Sequence, residues 1–200
     1  MIYQVKTIAS IDQIKQCETF HIDHFQWTKS YKPKAFGQMG FIEDYGFIIS
    51  MTAMEKNPLR SYTENDDPVY KDSAMEAFFN FMPEQTNNRY LNFEMNANGA
   101  MLSAFGNTNN REKLKHLTTF HASCSANMEE DCWNIILILP MELICEVYQI
   151  QPLHKGDNFT CNFYKISEDP SIEHYASFAP IDSIEPNFHL IEFFEKAVIC

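Results

Sequence analysis

The chain has 200 residues, of which 45% are hydrophobic, 21% charged and 14% aromatic. That balance suits one soluble domain spanning residues 1–200 and excludes intrinsic disorder. Fifteen Lys and Arg against 27 Asp and Glu leave a formal net charge of −12. Such a surface repels phosphate backbones and anionic lipid, which sets nucleic-acid and membrane binding aside and leaves neutral polar partners, a neutral sugar above all.

The opening residues, Met1 to Ser10, lack the uninterrupted apolar run of a signal peptide. No later stretch approaches the roughly 18 apolar residues of a membrane span. The expected location is therefore cytoplasmic, unless a precursor has been trimmed. Residues Asp12 to Cys17 read as a short helix. Phe47, Ile49, Met51 and Ala53 alternate with Ile48, Ser50 and Thr52, the period of a half-buried strand. Asn57-Pro58 and Asp66-Asp67-Pro68 then mark a loop. In the next strand Met75, Ala77, Phe79 and Phe81 fall on one face, with Glu76, Phe78 and Asn80 on the other. In the one after, Leu91, Phe93 and Met95 oppose a polar row of Tyr90, Asn92, Glu94 and Asn96.

Asn98-Gly99 signals a hairpin into a return strand at Ala100 to Phe105. A further strand is expected at Phe120 to Ser125, then an acidic turn, Glu129-Glu130-Asp131. Trp133, Ile135, Leu137 and Leu139 form a core strand, and Pro140 to Val147 a short helix with proline in its first turn. Lys155-Gly156-Asp157 turns into a strand carrying Phe159, Cys161 and Phe163, and Phe194 to Ile199 closes the series. Many short strands with turns between them predict an all-β fold, an antiparallel β-sandwich (immunoglobulin-like or jelly-roll-like) or barrel with one or two short helices.

No nucleotide-binding glycine motif, nucleophile elbow or zincin motif is present. The six cysteines (Cys17, Cys124, Cys132, Cys145, Cys161 and Cys200) have no metal-finger spacing and read as small hydrophobes in a reducing compartment. His21-Ile-Asp-His24 lacks a third and fourth metal ligand and reads as ordinary surface or packing histidines. Cys132 opens a core strand, which argues against a catalytic thiol. Glu76 and Glu94 share the polar faces of two strands expected to be close. Such a pair can hydrolyse a glycosidic bond, accept hydrogen bonds from sugar hydroxyls beside Asn92 and Asn96, or form a solvated acidic face. Spacing alone ranks the solvated face first and catalysis last. Tyr70 and Phe188 lie on loops, where rings either stack on sugars or plug the core. Trp133 belongs to the core, and Trp27 is open between packing, the favoured reading, and a ligand-facing ring.

Five segments in order carry a family resemblance. They are Tyr62-Thr-Glu-Asn-Asp-Asp-Pro-Val-Tyr-Lys-Asp-Ser73 running into Ala74-Met-Glu-Ala-Phe-Phe79, then Arg89-Tyr-Leu-Asn-Phe-Glu-Met-Asn-Ala-Asn-Gly99, Cys161-Asn-Phe-Tyr-Lys165, Ser177-Phe-Ala-Pro-Ile181 and Pro186-Asn-Phe-His-Leu-Ile-Glu-Phe-Phe194. From about Trp27 onward the chain resembles the stand-alone bacterial branch of the family 9 carbohydrate-binding modules. The resemblance implies a sandwich of two antiparallel sheets and a saccharide end clamped between two rings.

By position it implies Tyr70 and Phe188 as the rings, with Glu76, Glu94, Asn96 and His189 bonding hydroxyls. Glu94 falls where well-studied binders of the family carry an arginine. The paired tryptophans are replaced by Val69 or Tyr70 and by Phe188, Phe178 stands where a tryptophan is expected, and Ala74 and Ala77 replace bulkier residues. Structural calcium is common in the family, and Asp66, Asp67 and Asp72 are the acids available for it; no other cofactor is expected. The predicted function is non-catalytic binding of a saccharide or glycoside, in the micromolar to millimolar range that a few hydrogen bonds and stacked rings allow. The alternatives are a protein-interaction sandwich that has lost sugar binding, and a glycoside-processing enzyme using Glu76 and Glu94 with carboxyls about 5–10 Å apart across a cleft.

Overall fold

The strands pair in two layers that share one strand. A computed structural model describes residues 2–28 and 30–200. In chain order its strands are β1 (Ile2–Thr7), β2 (Thr19–Ile22), β3 (Ala35–Ile42), β4 (Gly46–Ala53), β5 (Ala74–Asn80), β6 (Tyr90–Asn96), β7 (Met101–Asn107), β8 (Asn110–Lys113), β9 (Ser123–Met128), β10 (Trp133–Pro140), β11 (Asn158–Ser167), β12 (His174–Ser177) and β13 (Glu195–Ile199). The helix α1 (Met141–Tyr148) follows β10, with Pro140 at its N-cap, and a 3₁₀ turn occupies Ile11–Gln16.

One layer runs β8-β7-β6-β5-β11-β13, with β12 also pairing β11; the other runs β3-β4-β10-β9, with β2 pairing β3. β1 joins them. Its first part pairs with β13, from Ile2 beside Lys196 to Val5 beside Ile199. Its last two residues, Lys6 and Thr7, pair with Gly40 and Phe41 of β3. Both pairings are parallel, a departure from the all-antiparallel sandwich implied by the resemblance; the other ladders are antiparallel.

The expected alternation explains the core between the layers. Met75, Ala77, Phe79, Phe93 and Phe163 from one layer meet Met39, Phe41, Ile49, Met51, Ile135 and Leu137 from the other. Phe20 of β2 stacks on Phe163 of β11 across the layers, ring centroids 3.9 Å apart. Each such aromatic or aliphatic side chain contributes about 1.5–3 kcal/mol by leaving water. Trp133 is fully buried, as expected.

A polar cluster sits inside this core. The Lys165 ammonium donates to Glu55 Oε2 (3.0 Å) and Ser73 Oγ (2.6 Å) and lies 2.8 Å from His174 Nε2. Glu55 also accepts from Trp133 Nε1 (2.9 Å), Tyr31 OH (3.0 Å) and Ser73 Oγ (2.6 Å). Burial pushes the Glu55 carboxyl up, but Lys165 and these donors outweigh it and hold the group at about 2. His174 Nδ1 lies 2.6 Å from the Ile172 carbonyl, which can only accept, so Nε2 is the bare nitrogen facing Lys165.

The layer containing β5, β6 and β11 is buried on its outer face as well. Ala74, Phe78, Tyr90, Tyr164 and Ile166 are covered there by Ile181, Phe188 and Phe194 from the late loops. β5 and β6 are consequently buried along their whole length. Glu76 and Glu94 therefore sit on a covered face, not the solvated acidic face ranked first on spacing.

Candidate functional site

Register builds the site. In the central layer Tyr164, Glu76, Glu94 and Leu102 are successive cross-strand partners, so their side chains share one face. Directly opposed residues on antiparallel strands hold their Cβ atoms about 4.5–5.5 Å apart. The next row sets Phe78 beside Asn92 and Asn92 beside Ala104. Above this floor lies a cavity of about 750 Å³. Its walls come from Tyr70, Ile166, Glu168 and Tyr175 on one side, Arg111 and Lys113 of β8 on another, and the 186–189 loop.

Three hydrogen bonds pin that loop to the strands. Tyr164 OH donates to the Phe188 carbonyl (3.1 Å), Thr108 Oγ1 to the His189 carbonyl (2.8 Å), and Tyr90 OH lies 2.8 Å from His189 Nδ1. Arg111 Nη1 donates to the same Tyr90 oxygen (2.7 Å). Burial pushes the Tyr90 phenol up to about 12, so it keeps its proton, and Nδ1 is the acceptor beside it. His189 thus carries its proton on Nε2. Burial first, and then Arg111, hold this imidazole neutral down to about 3.

The floor is short of donors. Asn92 Nδ2 donates to Glu94 Oε1 (3.1 Å), but Asn92 Oδ1 and Glu94 Oε2 are buried without a partner among the described residues. Burial, with a contribution from Glu168 against the opposing pull of Arg111 and Asn92, raises the Glu94 carboxyl to about 7. Glu76 is likewise held well above its ordinary value, by burial first and then by Glu94 and Glu168. Burial and the neighbouring charges therefore both work against ionising the two carboxyls together.

Of the six residues singled out in the sequence, Tyr70, Glu76, Glu94, Phe188 and His189 line this cavity, and Asn96 does not. Asn96 Nδ2 donates to the Tyr62 carbonyl and to Asp72 Oδ2, both at 2.8 Å, while its Oδ1 accepts from the Asn98 and Ala100 amides. Its hydrogen-bonding capacity is spent on holding the β6–β7 turn to the 60–62 segment. Phe188 is 5% exposed and stacks on Tyr164, centroids 4.1 Å apart, so most of its ring faces protein. Tyr70 and Tyr175 are only half-buried. Trp27 packs near Phe188 and donates its Nε1–H to the Ser183 carbonyl.

Arg111, Tyr175 and Glu168 escaped the sequence reading. Arg111 follows the Asn-rich turn 107–110, where Asn107 Oδ1 caps the amides of Asn109 and Asn110; that cluster is the signal that locates it.

Asp66, Asp67 and Asp72 do not gather around a cation. Asp72 accepts from the Ser61 and Tyr62 amides and from Asn96, Asp66 pairs with Lys115 (2.8 Å), and Asp67 accepts from the Glu64 amide. Among the described residues no three His, Cys, Asp or Glu side chains converge as a metal site requires. These acids as placed do not fit calcium. His21 lies near the Phe36 ring and His24 beside Asp23.

A model of the family described as carbohydrate-binding family 9 matches residues 6–199, reaching upstream of the motifs that carry the resemblance. No curated protein matches significantly. Among solved structures, a Bacteroides uniformis protein provisionally described as carbohydrate-binding superposes with a TM-score of 0.80 at 19% identity, over 98% of this chain and 97% of that one. A family 9 carbohydrate-binding module from Caldicellulosiruptor kristjanssonii in complex with cellotriose gives 0.71 at 10% identity, over 100% and 93% of the two chains. The module from that organism in complex with glucose gives 0.68 at 10% identity, over 100% and 96%.

Proposed function

Because the chain belongs to carbohydrate-binding family 9, we propose that it binds a saccharide or glycoside, without catalysis, in the cavity over β5, β6 and β11. The observation that carries this reading is the cavity's construction. Buried, partly unpartnered oxygens form its floor, and the half-buried rings of Tyr70 and Tyr175 stand in its wall. Pockets for small polar ligands combine such apolar surfaces with a few convergent polar groups.

Glu76 and Glu94 hydrogen-bond hydroxyls, His189 Nε2–H and Arg111 donate to ring or hydroxyl oxygens, and Phe188 holds Tyr164 and the loop in place. Adjacency of the two carboxyls on the floor supports binding over hydrolysis, since the two groups of a glycosidase flank the scissile bond. A cytoplasmic saccharide partner belongs to the same proposal. It is supported by the absence of disulfides among the described cysteines, as in a reducing compartment. Among the described residues no helix is long and apolar enough to cross a membrane.

Calorimetric titration with glucose, cellotriose and a wider oligosaccharide panel tests this, with a Tyr70→Ala, Tyr175→Ala double variant alongside. Saccharide heat that disappears in the folded variant is the expected result. Binding that survives it unchanged moves the site elsewhere, and silence across the panel removes the saccharide reading.

A further inference from the structure

The cavity floor presents acceptors in excess. Asn92 Oδ1 and Glu94 Oε2 are buried without partners, and the Glu76 carboxyl makes no side-chain hydrogen bond among the described residues. Neither nearby cation hydrogen-bonds to them, although Arg111 pulls on both carboxyls through space. Arg111 is turned to the Tyr90 hydroxyl and Lys113 to the Asp66 carbonyl, and no ion pair within 4.0 Å joins either to the two glutamates among the described residues.

A sugar hydroxyl brings one proton, so satisfying this floor takes several hydroxyls aimed at neighbouring oxygens. A primary ammonium brings three protons on one atom, together with the charge that two adjacent carboxylates lack. We propose that the ligand is a saccharide carrying a protonated primary amine, seated with its nitrogen between Glu76 and Glu94. The assignment rests on the saccharide reading above and narrows it to a substrate class.

Binding of the amine favours ionised carboxylates, so the proton that Glu94 holds near pH 7 passes to solvent. The other titratable or charged groups facing the pair are Arg111 and Lys113 on β8, Glu168 after β11, His189 on the loop and Tyr70 and Tyr175 in the wall, with Lys165 acting on Glu76 from β11 and the phenols of Tyr90 and Tyr164 on the flanking strands. His189 and the two phenols stay neutral near pH 7, so their ionisation does not obscure the released proton.

Glucosamine, N-acetylglucosamine and glucose, with glucosamine and glucose oligomers of three units, are titrated into wild-type protein and Glu94→Gln at pH 7. Each titration is run in two buffers of different ionisation heat. The expected result is at least about tenfold tighter binding of the amino sugar, the order of one charge-assisted pair. Proton release is expected with that sugar alone, and both effects fall away in Glu94→Gln. Equal or tighter binding of neutral or acetylated sugar overturns the amine assignment and leaves the saccharide reading standing. An amine preference that persists in the folded Glu94→Gln variant without proton release also overturns it. Silence from every sugar overturns both.

Discussion

Replacing Glu94 by glutamine removes a charge that the free protein holds at a cost, so the variant is predicted to be more stable than wild type above neutral pH. The Glu94 carboxyl moves from 4.5 to about 7 on folding, chiefly because it is buried. A folded-state value above the unfolded one means that the unfolded chain releases its proton first. The contribution of Glu94 to stability is therefore fully present below 4.5, is lost as pH rises from there, and levels off beyond about 7. A difference of about 2.5 pH units at roughly 1.36 kcal/mol each sets a ceiling of about 3 kcal/mol. Glutamine has the same shape, keeps an acceptor for Asn92 Nδ2 and brings an amide donor toward the orphaned Asn92 Oδ1. It also relieves Glu76 of a like charge.

The expected gain is about 1–3 kcal/mol at pH 8, on the order of 2–10 °C in Tm for a chain of this size, shrinking toward zero at pH 4. Thermal and urea melts followed by tryptophan fluorescence at the two pH values measure it. Refutation is a variant less stable at pH 8, or a gain of equal size at both pH values.

Other substitutions probe the supports of the site. Lys165→Met strands the Glu55 carboxylate inside the core and is expected to cost about 3–5 kcal/mol in urea unfolding at pH 7; Lys165→Met with Glu55→Gln recovers part of it, and a double variant no better than the single one contradicts the pairing. Without Lys165 burial dominates at Glu55, so the deficit of the single variant shrinks as pH falls from 7 toward 4. Asn96→Ala leaves only Asn98 holding the 60–62 segment to the β6–β7 turn and is predicted to cost about 2–4 kcal/mol by denaturant melt while saccharide affinity changes little; a binding loss without destabilisation returns Asn96 to the site. Gly106 has φ +153, and a Cβ there falls 2.1 Å from the Asn110 carbonyl oxygen. Gly106→Ala therefore displaces the β7–β8 hairpin, and with it Arg111, so weaker saccharide binding accompanied by about 1–3 kcal/mol of destabilisation is the expected pair of readouts.

The parts of the fold that were legible are those where alternation and turn chemistry agree. β5, β6 and β10, and β11 as far as Tyr164, carry a two-residue period, and Asn98-Gly99 and Lys155-Gly156-Asp157 mark turns beside them. β3 was hidden because Gly37 and Gly40 interrupt its pattern. Gly37 is required beneath Phe20, whose ring lies 2.5 Å from where a Cβ would stand. β8, Asn-Arg-Glu-Lys, is a polar edge strand, held by pairing with β7 and not by its own propensity. β9 lies three residues later than expected, at Ser123–Met128, because the ladder to β10 sets its register and its own composition does not.

At the site, Glu76 and Glu94 were readable as neighbours on one face, but not as buried. A polar row ordinarily faces water, and the covering chain around residues 181–194 has no periodicity to announce it. For the same reason Phe188 reads equally as a sugar-stacking ring or a core plug, and its packing against Tyr164 decides for the plug.

The parallel pairing of β1 with β13 also has a mechanical meaning. A pull applied between Ile2 and Cys200 draws β1 backward and β13 forward along the same ladder, so the bonds from Ile2–Lys196 to Val5–Ile199 are loaded together in shear instead of parting one by one. The Thr7 amide to Cys200 carbonyl and the Cys200 amide to Val5 carbonyl bonds extend that seam to its end. Tension then falls on a clamp remote from the cavity. Single-molecule stretching is expected to show one high-force rupture, with the β5–β6 floor still folded until the clamp gives way; gradual low-force peeling would contradict this geometry.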